Sequence, residues 1–239
     1  MPVRTSIAFL ALSTALASAQ SLPPVQVLQA KVDSLSVELR TLEKILVLRG
    51  LDIERDRLTV ARQDSTFQIP VEAGSVLGDS KAPVTLVLFT DLQCPYCARM
   101  APVIQSLHEQ HPRTLRISFR HFPLVSIHDK SMNGHLALWA AGKQGRLWDY
   151  YFKLAPSFRS LSDSILVASA RDVGLDIGRF DTDRHSTAAQ ESVSADMKLG
   201  EGVGVQGTPS LYVNGKSVAN PDEVGKVCAR YEVAGPARK

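Results

Sequence analysis

The stretch Val84-Thr85-Leu86-Val87-Leu88-Phe89-Thr90-Asp91-Leu92-Gln93-Cys94-Pro95-Tyr96-Cys97 decides the fold. Val84 to Phe89 is β-branched and apolar throughout, which predicts a strand buried on both faces. A helix is expected from about Pro95 to Glu109, with Pro95 suited to its first turn. That places Cys94 at the helix N-terminus and Cys97 one turn inside. The unpaired N–H groups and the dipole of a helix N-terminus favour negative charge, so the Cys94 thiol is expected well below the free value of about 8.5. A Cys94 thiolate can attack a substrate disulfide, and Cys97 can resolve the mixed disulfide that forms. Two other readings of the pair stay open: a structural disulfide within the helix, and part of a zinc site. Zinc needs more ligands, and the chain has no second CxxC or paired histidines; its six histidines are scattered. No metal or cofactor is expected.

Outward from this stretch, Leu115 to Phe119 alternates apolar and polar residues and predicts a second strand. Residues 130 to about 200 carry only helical patterns, around Met132–Gly142, Trp148–Leu154, Ser164–Val173 and Arg179–Leu199. Strand character returns at Ser210 to Val213. Asn214-Gly215 is a two-residue hairpin turn, and Lys216 to Val218 returns. Asn220-Pro221-Asp222-Glu223 reads as a cap opening a last helix to about Tyr231. Before the first strand, Phe67 to Val71 is a candidate edge strand. Residues 63–83 are otherwise irregular.

The chain has 239 residues, 44% hydrophobic and 21% charged, with a net charge of +3. These values exclude a disordered, collagen-like or polytopic membrane protein. The basic residues form no run longer than two, so nucleic acid is not an expected partner. Residues 1–19 read as a secretory signal peptide: Arg4 is the only charge, an apolar and small stretch runs from Ser6, and Ala17-Ser18-Ala19 offers a cleavage site. The alternative is an uncleaved anchor. Either way the protein is expected to be exported, to the periplasm or another extracytoplasmic space.

Between the signal and residue 64 lies a separate segment. Leu28, Val32, Leu35, Leu39, Leu42 and Leu46 are spaced by 4, 3, 4, 3 and 4 residues, a heptad seam. The expected domains are therefore 1–19 signal peptide, 20–63 helical coiled-coil segment, and 64–239 catalytic domain. A homo-oligomer through residues 25–62 is the sharper reading; an amphipathic helix packed on its own domain is the other.

Four motifs in order resemble the DsbA-like thioredoxin-fold oxidoreductases. They are Phe89 to Cys97, Phe119-Arg120-His121-Phe122-Pro123-Leu124, Gln144-Gly145-Arg146-Leu147-Trp148, and Gly204-Val205-Gln206-Gly207-Thr208-Pro209-Ser210. The resemblance spans about residues 67–230. It implies an α/β thioredoxin fold with a helical domain inserted at about 125–203. It also implies a cis Thr208–Pro209 bond facing the cysteine pair. Pro102 is similar to the proline that kinks the active-site helix. Many relatives carry another cysteine near Ala140-Ala141-Gly142, which this chain lacks.

The resemblance implies Cys94 and Cys97 as catalytic, with Pro95, Tyr96, Thr208 and Pro209 forming the active-site loops. Asp91 is either a proton acceptor for Cys97 or a cap of the loop. Cys228 is expected to be buried and inert, Arg120 and His121 structural, and Trp139 and Trp148 core residues of the insert. The expected function is disulfide formation in exported, cysteine-containing proteins, with a redox-recycling partner. The alternatives are a disulfide isomerase or reductase dimerised by the N-terminal helix, and a non-enzymatic client-binding scaffold with a structural CxxC. Pro95-Tyr96 leans towards an oxidase by resemblance, and Thr208 towards an isomerase.

Overall fold

The computed structural model describes residues 27, 29–39 and 65–234. The chain divides into two units, Met1–Leu58 and Thr59–Lys239. In the first, residues 29–39 are helical, and Val32, Leu35 and Leu39 are 53%, 57% and 52% exposed. The rest of the heptad seam, Leu28, Leu42 and Leu46, lies outside the described residues, as does the signal segment.

The second unit is built on five strands: β1 (Val76–Leu77), β2 (Val84–Thr90), β3 (Leu115–His121), β4 (Ser210–Val213) and β5 (Lys216–Val218). Their order in the sheet is β1-β3-β2-β4-β5. Only β2 and β3 run parallel, joined by helix α1 (Pro95–Gln110). A parallel pair needs such a crossover, because no tight turn can return the chain to the same end of the sheet. The other pairs are antiparallel.

Central strand β2 explains its own composition. Val84, Leu86 and Leu88 enter the main core with Ala101 and Ile104 of α1 and the inserted helices. Val87 and Phe89 point the other way, into a second core with Phe122, Val203, Val205 and Tyr212. A period of two therefore sends successive apolar side chains into two cores. Each fully buried Leu or Phe contributes about 1.5–3 kcal/mol of transfer energy. Gly200 lets the second core close: a Cβ there would lie 2.6 Å from the Phe122 ring.

Between β3 and β4 the chain is helical: α2 (Ser131–Lys143), α3 (Leu147–Leu154), a 3-10 turn (Ala155–Ser160), α4 (Asp163–Asp172), α5 (Ile177–Arg184) and α6 (Thr187–Val203). The single helix expected over Arg179–Leu199 is in truth two. Ser186 accepts a hydrogen bond from the Ala189 N–H and so caps a fresh N-terminus. Helix α7 (Pro221–Ala234) closes the fold, and the Asn220 side chain accepts from the Glu223 N–H, as its capping role predicts.

Two further expectations are corrected. Phe67 to Val71 forms no strand; an isolated bridge, Thr66 to Lys216, precedes it, the Phe67 N–H donates to the Gly215 carbonyl, and the Pro70 carbonyl accepts from the Arg120 guanidinium. Pro70 has no N–H to continue a ladder. The edge strand on the other side is instead Val76–Leu77, paired with β3. Trp148 is buried, its indole N–H donating to the Ser75 carbonyl. Trp139, by contrast, is half-buried, with the Lys143 ammonium over its ring.

Asn214 and Gly215 both take positive φ, 48° and 83°, as a two-residue hairpin of this sequence requires. Arg120 and His121 have structural roles. The Arg120 guanidinium is buried and pairs with Asp196 at 2.6 Å and Glu72 at 2.8 Å, tying α6 and the segment before β1 to β3. The His121 N–H donates to the other Asp196 oxygen. Cys228 is wholly buried, and burial pushes its thiol up to about 11.

Candidate active site

Strand β2 ends at Thr90, and Asp91-Leu92-Gln93 turns the chain into α1. Cys94 is the N-cap residue with extended backbone angles, Pro95 the first helical residue, and the Cys94 carbonyl accepts the first helical bond from the Ala98 N–H. Pro fits there because its missing N–H would have had no helical partner. Cys94 is 4% exposed and Cys97 wholly buried, and both are free thiols.

The loop is held by one carboxylate. Asp91 Oδ1 accepts from the Gln93 N–H at 2.6 Å and the Cys94 N–H at 3.1 Å. Asp91 Oδ2 accepts from the Leu124 N–H at 2.6 Å and lies 3.0 Å from His128 Nδ1. Gln93 adds to the same junction: its side chain donates to Asp129 and accepts from the Lys130 N–H. The loop before α1 and the Leu124–Lys130 segment are thus fastened together. The contact from Asp91 to Cys97 is made by the backbone: the Asp91 N–H lies 3.5 Å from Cys97 Sγ. The carboxylate itself is occupied as a cap.

Opposite the pair lies the loop before β4. The Thr208–Pro209 bond is cis, and Cys94 Sγ lies 3.3 Å from the Thr208 carbonyl, to which it can donate only as the thiol. Cys94, Cys97, Thr208 and Pro209, which are far apart in the chain, therefore meet at one end of the sheet. An open groove of about 490 Å³ runs from there between Tyr96, Arg99, Val103, Pro209, Leu211 and Val218. Tyr96 is 63% exposed, with the Arg99 guanidinium 4.6 Å from its ring centre.

The two thiols are driven apart. Cys94 is lowered to about 5 by the hydrogen bond from the Cys97 side chain and by the first-turn N–H groups of Cys97 and Tyr96, against the opposing effect of its own burial. Cys97 is raised well above an ordinary thiol, chiefly by burial and then by Cys94. One sulfur is therefore an anion at neutral pH and its neighbour keeps its proton. That is the division a nucleophile and a resolving thiol need.

The sequence reading did not single out Gln93 or His128 at this site. Gln93 sits inside the quoted stretch and could have been found by proximity. Nothing in the local pattern marks His128, which the fold brings in from the segment after β3.

The chain matches the thioredoxin family described as "Thioredoxin" over residues 71–228, and it belongs to that family. Among solved structures it is similar to a thioredoxin-like oxidoreductase from Silicibacter pomeroyi, with 26% identity and a TM-score of 0.57, covering 69% of this chain and 95% of that one. It is similar in fold to BdbD from Bacillus subtilis, with 24% identity and a TM-score of 0.60 over 71% and 98% of the two chains. The class so defined is the thioredoxin family, with the fold it shares with these structures.

A curated relative, the Na(+)/H(+) antiporter NhaA 1 of Mycolicibacterium gilvum, is 34% identical over 155 residues. The match takes in 64% of this chain, which spans only about a quarter of the length of that relative. The aligned length is close to that of the thioredoxin match. Among the described residues no helix is long and apolar enough to cross a membrane.

Proposed function

We propose that the protein is an exported enzyme that introduces disulfides into cysteine-containing proteins, with Cys94 as nucleophile and Cys97 as its intramolecular partner. The observation that carries this reading is the thiol of Cys94, lowered to about 5 at the N-terminus of α1 and facing the Thr208 carbonyl. A stabilised Cys94 thiolate stabilises the reduced form, and a pair whose reduced form is stabilised is an oxidant. A client thiolate attacks Cys94 Sγ of the oxidised pair and forms a mixed disulfide, while Cys97 leaves. A second client thiolate then attacks the client sulfur and releases Cys94. The groove beside Tyr96 and Pro209 would hold the client chain, and a redox partner would reoxidise the pair. Residues 1–19 would direct export, residues 20–63 would form the helical segment, and residues 64–239 the catalytic domain.

A second reading is an isomerase or reductase held as an oligomer by residues 25–62. It is favoured by the exposed Val32, Leu35 and Leu39 on the N-terminal helix. A scaffold with an inert cysteine pair is disfavoured by membership of an oxidoreductase family.

The reduction potential of the Cys94–Cys97 pair separates these readings. A value above about −180 mV fits the oxidase, and one near −270 mV fits a reductase. Cys97→Ser should accumulate mixed disulfides with clients and Cys94→Ser should not; equal trapping by both variants would refute the assignment of roles.

A further inference from the structure

We infer that Arg99 selects the clients of the Cys94–Cys97 pair, favouring segments that carry a carboxylate two or three residues from the reacting cysteine and an apolar side chain beyond it. This rests on the reading of the pair as the exchanging site and names the substrate class of that site.

Tyr96, Arg99, Met100 and Val103 are spaced by three, one and three residues, so they share one face of α1. That face is one wall of the open groove beside Cys94, and Leu211 and Val218 stand in the other. Tyr96 is 63% exposed and Val103 40%, contiguous apolar surface of the kind that marks an interaction site. Among the described residues, Arg99 is the one charged side chain that lines this groove. Its guanidinium lies 4.6 Å from the Tyr96 ring centre, a contact that holds the charge in place without neutralising it. No carboxylate among the described residues pairs with it. Glu223, just past the far end of the groove, accepts from the Ala219 N–H.

The reaction fixes where a client must lie. A client thiolate attacks Cys94 Sγ, a bond forms between the two sulfurs, the Cys94–Cys97 bond breaks, and the electron pair leaves on Cys97 Sγ. The client is then tethered at the N-terminus of α1, where the groove begins. Arg99 lies five residues after Cys94, about 7.5 Å along the helix axis. An extended client chain advances about 3.3 Å per residue. The position two or three residues from the client cysteine therefore meets the guanidinium, and later positions meet Met100 and Val103. An unpaired guanidinium in an apolar wall attracts a carboxylate there and repels an ammonium group.

The test uses the full-length oxidised protein and synthetic peptides with one cysteine, followed by stopped flow at low salt. The peptides differ only at the second and third residues from the cysteine, which are both Asp, both Asn or both Lys, placed on its N-terminal or C-terminal side in turn. Each rate is divided by that of the Asn peptide, and the ratio is compared between the unmodified protein and Arg99→Gln. This comparison cancels the effect of the flanking residues on the peptide's own thiol. On one side of the cysteine, Arg99→Gln should lower the relative rate of the Asp peptide by about three- to fivefold and raise that of the Lys peptide by a similar factor, the range of an exposed charge pair. Arg99→Lys should keep the preference, and about 0.5 M NaCl should reduce it below about 1.5-fold. Ratios that Arg99→Gln leaves within about 1.5-fold on both sides would overturn the inference. Equal slowing of all three peptides would also overturn it, because the guanidinium would then act on the attacking thiolate. If the unmodified protein reacts with none of the peptides, the exchange reading is what fails.

Discussion

His128 Nδ1 lies 3.0 Å from one oxygen of the Asp91 carboxylate, and the other oxygen of that carboxylate accepts the Cys94 N–H at 3.1 Å. A single buried side chain thus joins the redox loop to the segment after β3. Truncating it would strand the N–H groups of Gln93 and Leu124 along with the His128 ring, and leave the Cys94 N–H only its 3.4 Å bond to the Asp91 carbonyl. An unsatisfied buried donor costs about 1–3 kcal/mol. Asp91→Ala should therefore lower stability by about 3 kcal/mol in urea unfolding, whereas His128→Ala, which leaves the three backbone bonds intact, should cost about 1 kcal/mol. Equal losses in the two variants would mean that the carboxylate does not act as a shared anchor.

The Cys94 thiol makes the two redox forms respond differently to pH. Its folded value is about 5, against about 8.5 for a free cysteine. Between these values the unfolded dithiol chain binds more protons than the folded one, so stability rises with pH. The contribution is complete above about pH 8.5 and is lost as pH falls through about 5. The disulfide form has no such group. The stability of the dithiol form relative to the disulfide form should therefore increase from pH 5 to pH 8, as measured by urea unfolding of each. A constant difference across that range would contradict a thiolate at Cys94.

Much of this site was legible in the sequence because its parts are local. Cys94, Pro95 and Cys97 lie within a single turn, and a buried apolar strand immediately upstream fixes where that turn must sit. The Gly207-Thr208-Pro209 loop was legible only through the family resemblance, since spacing alone does not bring residue 208 against residue 94. The break at His185-Ser186 lies in a run of polar residues, Asp181 to Thr187, that carries no apolar period in either direction, and the Ser186 cap marks the new helix. The edge strand was assigned to the wrong residues because Phe67 to Val71 has the apolar composition of a strand. The two-residue strand Val76–Leu77 is too short to show a period. The place of His128 beside Asp91 depends on how the segment after β3 folds back on the loop, which no local pattern encodes.

The N-terminal helix carries Val32, Leu35 and Leu39 at heptad spacing, each more than half exposed. A helix gains most of its stability by burying its apolar face, so the proposal that a second copy covers this stripe has a direct test. Val32→Glu with Leu39→Glu should convert an oligomer to a monomer in sedimentation at tens of micromolar and leave glutathione exchange at Cys94 unchanged. A monomer before substitution would favour the oxidase reading without oligomerisation.

The His121 and His135 rings meet in the core, with Nδ1 atoms 2.9 Å apart, and both side chains are buried. One ring donates to the other only if at least one Nδ1 is unprotonated, so both rings cannot be charged while this bond stands. Burial lowers His121 to about 3, with the Arg120 charge adding to the effect, and lowers His135 well below its ordinary value. Both rings are neutral in the folded protein, while in the unfolded chain they titrate near 6.5. Below that pH the unfolded chain takes up protons that the folded one refuses. Stability is thus fully present above pH 6.5 and falls as the pH drops towards 3. Two such groups give a slope of about 2.7 kcal/mol per pH unit. The disulfide form isolates this effect, because Cys94 does not titrate there. Its unfolding free energy should drop steeply between pH 6 and pH 4, and His135→Leu should reduce the slope by about half. A slope that His135→Leu leaves unchanged would move the origin of the acid lability away from this pair.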